Sequence, residues 1–189
     1  MREQAEAATA ADNVRFVQAY AQATGLADGE ADIVTCSQAL HWMEADPTLA
    51  EAARILRPGG VFAAYDYDWP PIVGWEVEAA FEEVLRRVRA GRAPDGRGMR
   101  YAKEGHLERI KASGHFRYAR EIVFHARDRA DAERIVGMAL SLGPLTVLLN
   151  DGKSEQEVGL TVLREAAERT LGDRETEIFV GYRIRLGIR

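Results

Sequence analysis

The sequence predicts an α/β fold built around a parallel crossover, on three observations. Asp32-Ile33-Val34-Thr35-Cys36-Ser37 is a short apolar run after a turn at Asp28-Gly29, which reads as a buried strand. Asp46-Pro47 opens a helix, with Asp as N-cap and Pro at the first helical position, and Arg57-Pro58-Gly59-Gly60 stops it. Val61 to Tyr67 then reads as a second strand. Strand, helix, strand is the order that a right-handed parallel crossover requires.

The other elements follow in chain order. Met1 to Ala11 is rich in Ala, Glu and Gln and reads as the tail of a helix without a cap or an apolar stripe. Val14 to Tyr20 is β-branched and aromatic, and predicts a buried strand. Leu49, Ala52, Ala53 and Leu56 form the buried stripe of the crossover helix. Beyond Trp69-Pro70-Pro71, Val77, Phe81, Val84, Leu85 and Val88 fall at helical spacing, followed by a loop from Gly91 to Gly98. A short helix is predicted around Lys103 to Ala112, ending at Gly114, and then a strand through Phe116, Tyr118, Ile122 and Phe124. Two helices follow, at roughly Arg129 to Leu142 and Glu155 to Thr170, with Ser154 and Glu157 as a capping box before the second. Tyr182, Ile184, Leu186 and Ile188 alternate with Arg183, Arg185, Gly187 and Arg189, which predicts an antiparallel strand near a sheet edge with one wet face. No internal repeat or interdomain linker interrupts the order, so residues 1–189 read as one unit.

Bulk composition narrows the functional classes. The chain has 189 residues, 47% hydrophobic and 29% charged, enough for one sizeable core. Its net charge of −5, from 25 basic and 30 acidic side chains without long like-charge runs, attracts no polyanion, so no nucleic-acid partner is expected. Cys36 is the only cysteine, which rules out an internal disulfide and fits a reducing, cytoplasmic setting. The first residues lack the apolar stretch of a signal peptide or membrane span, so no membrane association is expected.

The run Ala31-Asp32-Ile33-Val34-Thr35-Cys36-Ser37-Gln38-Ala39-Leu40-His41-Trp42-Met43, with Leu49 to Phe62 including Glu51-Ala52-Ala53-Arg54-Ile55-Leu56-Arg57-Pro58-Gly59-Gly60, is more specific than any motif inside it. It resembles the fourth strand, following helix and fifth strand of class I S-adenosyl-L-methionine (SAM)-dependent methyltransferases of the small-molecule type, methyltransferase domain 11. The resemblance implies a Rossmann-like fold lacking strands 1 and 2, with parallel strands 3, 4 and 5, an antiparallel C-terminal strand pair and helices on both faces. It also implies a single partial domain over 1–189, with helical acceptor or lid insertions at about 74–113 and 129–170. The family's glycine-rich SAM loop lies ahead of the element that Met1 opens, so the expectation is a chain truncated at its N-terminus. Its bare sheet edge around Ile33 to Cys36 would suit homodimer pairing.

The same resemblance, with the rule that open sheets bind ligands beyond the carboxyl ends of parallel strands, selects the site residues. Tyr20 and Ala21, just past the third strand, and Cys36, Ser37 and Gln38, at the mouth of the fourth, are the expected SAM contacts. A tyrosine capping the core is the other reading of Tyr20. His41, Trp42, Tyr65, Tyr67 and Trp69 are expected to line the acceptor pocket. His41, Asp66 and Asp68 are the candidate proton acceptors. The alternatives are a histidine packed beside Trp42 and aspartates that cap the turn before Pro70-Pro71. Cys36 reads as packing, not as a nucleophile. His106, His115 and His125 share no ligand spacing, so no metal site is expected.

The implied activity is methyl transfer from SAM to a small, partly hydrophobic acceptor by in-line displacement, impaired in a truncated chain. The alternative is a non-catalytic remnant serving as an interaction or dimerisation module.

Overall fold

The computed structural model describes residues 2–91 and 102–189. Its elements are α1 (Arg2–Ala8), β1 (Ala31–Ser37), α2 (Ala45–Ile55), β2 (Leu56–Ile72), α3 (Trp75–Ala90), α4 (His106–Ala112), β3 (Tyr118–Ala130), α5 (Ala132–Leu140), α6 (Gly143–Asn150), α7 (Leu160–Thr170) and β4 (Thr176–Ile188), with 3-10 turns at Leu40–Trp42 and Lys103–Gly105. Among these residues the strands form one sheet in the order β1-β2-β4-β3. β1 and β2 are parallel, while β4 runs antiparallel to both β2 and β3. This is a mixed, Rossmann-like α/β sheet.

The crossover forms as its residues require. Leu49, Ala52, Ala53 and Leu56 are buried and pack with Cys36, Leu40, Phe62 and Ala64 beneath α2. A Cβ on Gly60 would stand 2.9 Å from the Arg57 carbonyl oxygen and 3.1 Å from that of Asp32, so only glycine lets β2 leave the helix this close to β1. Glu51 ties the segment ahead of β1 to α2 by accepting from the Thr24 amide at 2.8 Å and hydroxyl at 2.6 Å. A second apolar cluster joins α3, α5 and α7 to Ile178, Val180 and Tyr182 of β4. Those β4 residues alternate with Arg183 and Arg185, so helices cover both faces of the sheet.

Five expectations need correction. Val14 to Tyr20 forms no strand and has only an isolated bridge between Tyr20 and Ala23. Val14, Val17 and Tyr20 stay exposed, because this segment has no neighbouring strand to satisfy its backbone. The parallel set is therefore β1 and β2, without the predicted third strand. β1 is a strand, but pairing on one side alone leaves Ile33 63% exposed and only Cys36 buried. The crossover helix starts one residue before Asp46 with Glu44 at the N-cap, and no side chain caps it. The closing strand is interior, because β3 folds back along its other side, so Arg185 is buried and Arg183 only part-exposed. Finally, the capping box forms, with Ser154 Oγ accepting from the Glu157 amide at 3.2 Å, yet regular helix begins only at Leu160, and α6 was not foreseen.

In the predicted loop from Gly91 to Gly98, Gly91 caps α3, and 92–98 lie outside the described residues. No single helix among the described residues is long and apolar enough to cross a membrane.

One local prediction arises from α5. The Asp131 side chain accepts from the Arg134 amide at 2.8 Å, the N-cap bond that starts this helix. Asp131→Ala should cost about 1 kcal/mol in denaturant unfolding. A change below about 0.3 kcal/mol would show that α5 is held by packing alone.

Candidate functional site

A cleft of about 820 Å³ opens where β1 ends and β2 passes beside it. It lies within the range of roughly 300–1,000 Å³ usual for small-molecule pockets. Gln38, His41, Trp42, Asp66, Tyr67, Asp68 and Trp69 all line it, so seven of the sequence-selected residues meet in one cavity. The far wall comes from Leu85, Val88 and Arg89 of α3 and from Ser141 to Pro144 ahead of and into α6. Residues 102–104 close one side.

Local backbone geometry sets the mouth. Gln38 takes a left-handed φ of +49° and donates its amide to the Tyr65 carbonyl at 2.9 Å, ending β1 and starting the turn that presents His41 and Trp42. The His41 and Trp42 rings stand 5.2 Å apart. On β2, period-two alternation puts Asp66 and Asp68 on one face and Tyr65 and Tyr67 on the other.

Asp66 is the centre of a buried ionic cluster. Arg185 Nη1 donates to Asp66 Oδ2 at 2.9 Å, and Arg185 Nε donates to Glu121 Oε2 at 2.8 Å. Arg183 joins Asp68 at 2.8 Å and Glu121 at 2.7 Å. Asp66 Oδ1 stands 3.3 Å from Lys103 Nζ and 3.6 Å from His41 Nδ1, and Lys103 also donates to Gln38 Oε1 at 2.7 Å. Three carboxylates thus meet three cations, and the pairing fixes the Asp66 side chain in place. Burial raises the Glu121 carboxyl, but the hydrogen bonds from Arg183 and Arg185 outweigh it and hold the group below the usual range.

Behind this cluster the His106 ring lies 6.1 Å from that of His41, nearly parallel at 24°. Burial, which outweighs the opposing charge of Asp66, pushes His106 down to about 4, so it is neutral at pH 7. Its Nε2 is buried without a hydrogen-bond partner among the described residues. His41, Asp66 and His106 are all buried and bring their ligand-capable atoms within 4.8 Å of one another. Spacing along the sequence does not join His106 to His41 and Asp66; the packing of α4 against the sheet does.

Other expected residues stand apart from the cleft. Tyr20 is 76% exposed, and neither it nor Ala21 lines the cavity. Cys36 turns its thiol inward, 3.9 Å from Met43 Sδ, and burial, helped by the charge of Asp66, pushes it up to about 11. Packing is therefore its role. Ser37 is exposed at the strand tip, and Tyr65 offers its carbonyl to Gln38 without lining the cavity. Sequence reasoning missed Lys103, Glu121, Arg183, Arg185 and His106. The alternating arginines before the C-terminus were the available signal, and they were read as a solvated face.

Residues 1–64 match the family described as a methyltransferase domain. The chain is also similar to solved structures. A candidate type II methyltransferase from Anaeromyxobacter dehalogenans aligns at TM-score 0.67 and 22% identity, over 100% of this chain and 77% of that one. The fold is that of a class I SAM-dependent methyltransferase. The YcgJ protein from Bacillus subtilis aligns at TM-score 0.51 and 18% identity, over 99% of this chain and 76% of that one. No curated protein sequence matches.

The fold implies SAM, and the strand mouth fits it in part. Ser37, exposed, and Gln38, on the cleft wall, stand where this methyltransferase fold binds ligands, at the carboxyl end of a parallel strand. The Gln38 amide is spent on Tyr65, so a cofactor at this mouth would be held by other groups of Ser37 and Gln38. The Cys36 side chain does not fit such a role.

Proposed function

We propose that this cleft takes a small-molecule methyl acceptor and that SAM, held near Ser37 and Gln38 with Tyr20 and Ala21 flanking it, supplies the methyl group. The observation that carries the reading is the buried His41–Asp66 pair on the wall of an 820 Å³ cleft at the sheet's carboxyl edge. When bound, SAM supplies an electrophilic methyl group. The chain's own residues position the acceptor and take its proton. Trp42, Tyr67, Trp69, Leu85 and Val88 give the acceptor apolar walls. His41 accepts the proton, with Asp66 orienting the ring and Arg185 holding Asp66 in position. Asp68, tied to Arg183, sets the polar rim. The helices at about 74–113 and 129–170 serve as lid and acceptor wall within one domain. The single buried thiol suits a reducing, cytoplasmic setting.

Calorimetric titration of the folded chain with S-adenosylhomocysteine tests the cofactor, with micromolar affinity expected. Once an acceptor is found by screening, His41→Ala should lower kcat by about 100-fold or more with a smaller change in KM. A folded chain that binds no S-adenosylhomocysteine would overturn the reading.

A second reading rests on the bare edge of β1, where Ile33 is exposed beside unpaired backbone. That edge suits pairing with another copy, as an interaction or dimerisation module. Sedimentation equilibrium should then show a dimer that Ile33→Lys dissociates.

A further inference from the structure

We infer that His41, Asp66 and His106 form a binding site for a first-row divalent transition ion, zinc being the representative, on the inner wall of the cleft. Two imidazoles and one carboxylate are the donor set such ions take when positions are left open to an incoming molecule. Here His41 and Asp66 line the cavity, and His106 is buried behind them. The three ligand atoms lie within 4.8 Å of one another. In tetrahedral geometry, bond lengths of about 2.0–2.2 Å set ligand atoms about 3.3–3.6 Å apart, so loading requires a closure of up to about 1.5 Å.

The independent observation is His106. Its Nε2 is fully buried and unpartnered among the described residues, and the His106 ring belongs to this cluster. A buried polar atom left unsatisfied carries an uncompensated desolvation cost, which a bound ion would relieve. Arg185 meanwhile holds Asp66 Oδ2 at 2.9 Å, so the carboxylate presents Oδ1 alone, the outer support that metal-ligating carboxylates usually have.

Two cations oppose loading and make the site tunable. Lys103 Nζ stands 3.3 Å from the same Oδ1 and must withdraw onto Gln38 Oε1, which it already holds. Arg109 Nη1 approaches His106 Nδ1 at 3.3 Å, and a guanidinium can only donate, so this contact puts the ring proton on Nε2. Loading moves that proton to Nδ1 and leaves Arg109 on the Ala102 carbonyl at 3.0 Å. A bound ion would act as a Lewis acid on an oxygen or nitrogen entering the cleft, replacing His41 as the group that activates it. The inference does not depend on the methyl-transfer reading, since it is read by metal binding alone.

The test is titration of the chelator-stripped full chain with zinc and, separately, with cobalt, whose visible absorption reports nitrogen ligation. One-to-one binding is expected. His106→Gln should weaken it at least tenfold, and Lys103→Met should tighten it, a gain that misfolding cannot produce. His115→Gln should leave it unchanged, since His115 is exposed. No saturable binding, His106→Gln binding as tightly as the parent chain, or Lys103→Met failing to tighten it would each overturn the inference.

Discussion

Arg185→Met should be the most damaging single substitution in the site, lowering stability by about 3–5 kcal/mol. Arg185 is 2% exposed and spends its guanidinium on two carboxylates that face each other across β4, Asp66 on β2 and Glu121 on β3. Removing it strands Asp66, itself only 3% exposed, with Lys103 and His41 beside it among the described residues. The cost comes from the uncompensated buried charge and not from the attraction lost, because desolvation offsets most of what a buried pair gains. In a chain of this size the melting temperature should fall by roughly 2–4 °C per kcal/mol. The double variant Arg185→Met with Asp66→Asn should recover part of the loss, since the side chain left at 66 is then neutral. Arg129→Ala provides the contrast. Its pair with Glu175 is about two-thirds exposed on both sides and should change stability by less than about 1 kcal/mol. Denaturant unfolding of the four proteins decides the matter. A loss under about 1 kcal/mol for Arg185→Met would mean that Asp66 finds solvent or a proton instead.

That buried pair also shows where the sequence was legible and where it was not. The crossover from β1 through α2 to β2 could be read because its signals are local. A helical stripe, a Pro-Gly-Gly stop and two apolar runs each act within a few residues. Seven residues at the cleft followed from the same segment, since the carboxyl end of a parallel strand fixes where ligands go. Arg183 and Arg185 could not be read this way. Alternation marks two faces but does not say which is wet, and what decides it is β3, more than 50 residues earlier, closing the far side of β4 with Glu121. His106 and Lys103 reach the site only through tertiary packing of the turn and helix after α3, so no spacing reveals them. Val14 to Tyr20 failed for the opposite reason. Its β-branched and aromatic composition favours a strand, but a strand needs a neighbour, and among the described residues β1 offers none there.

His106 should give the protein an acid-sensitive stability whose window differs from that of its carboxylates. Burial lowers this histidine from 6.5 to about 4, so the unfolded chain takes up its proton at a higher pH than the folded chain does. Above pH 6.5 both states are neutral and the group contributes no pH dependence. As the pH falls from 6.5 towards 4, protonation favours the unfolded state, and stability drops by roughly 3 kcal/mol across the window. Glu51, Glu83 and Glu157, each held down to about 2 by hydrogen bonds, from Arg54, Arg86 and Lys153 foremost, act in the same direction but only below their unfolded value of 4.5. The two contributions therefore separate near pH 5. The measurement is denaturant unfolding of the parent chain and of His106→Gln, in chelator, at steps from pH 7.5 to 4.5. The variant loses the buried ring and starts less stable at neutral pH, but it has no imidazole to titrate, so the difference between the two proteins should shrink as the pH falls. Parallel curves between pH 6.5 and 4.5 would mean that the folded protein admits the proton as readily as the unfolded chain, and that the ring is not held neutral in the core.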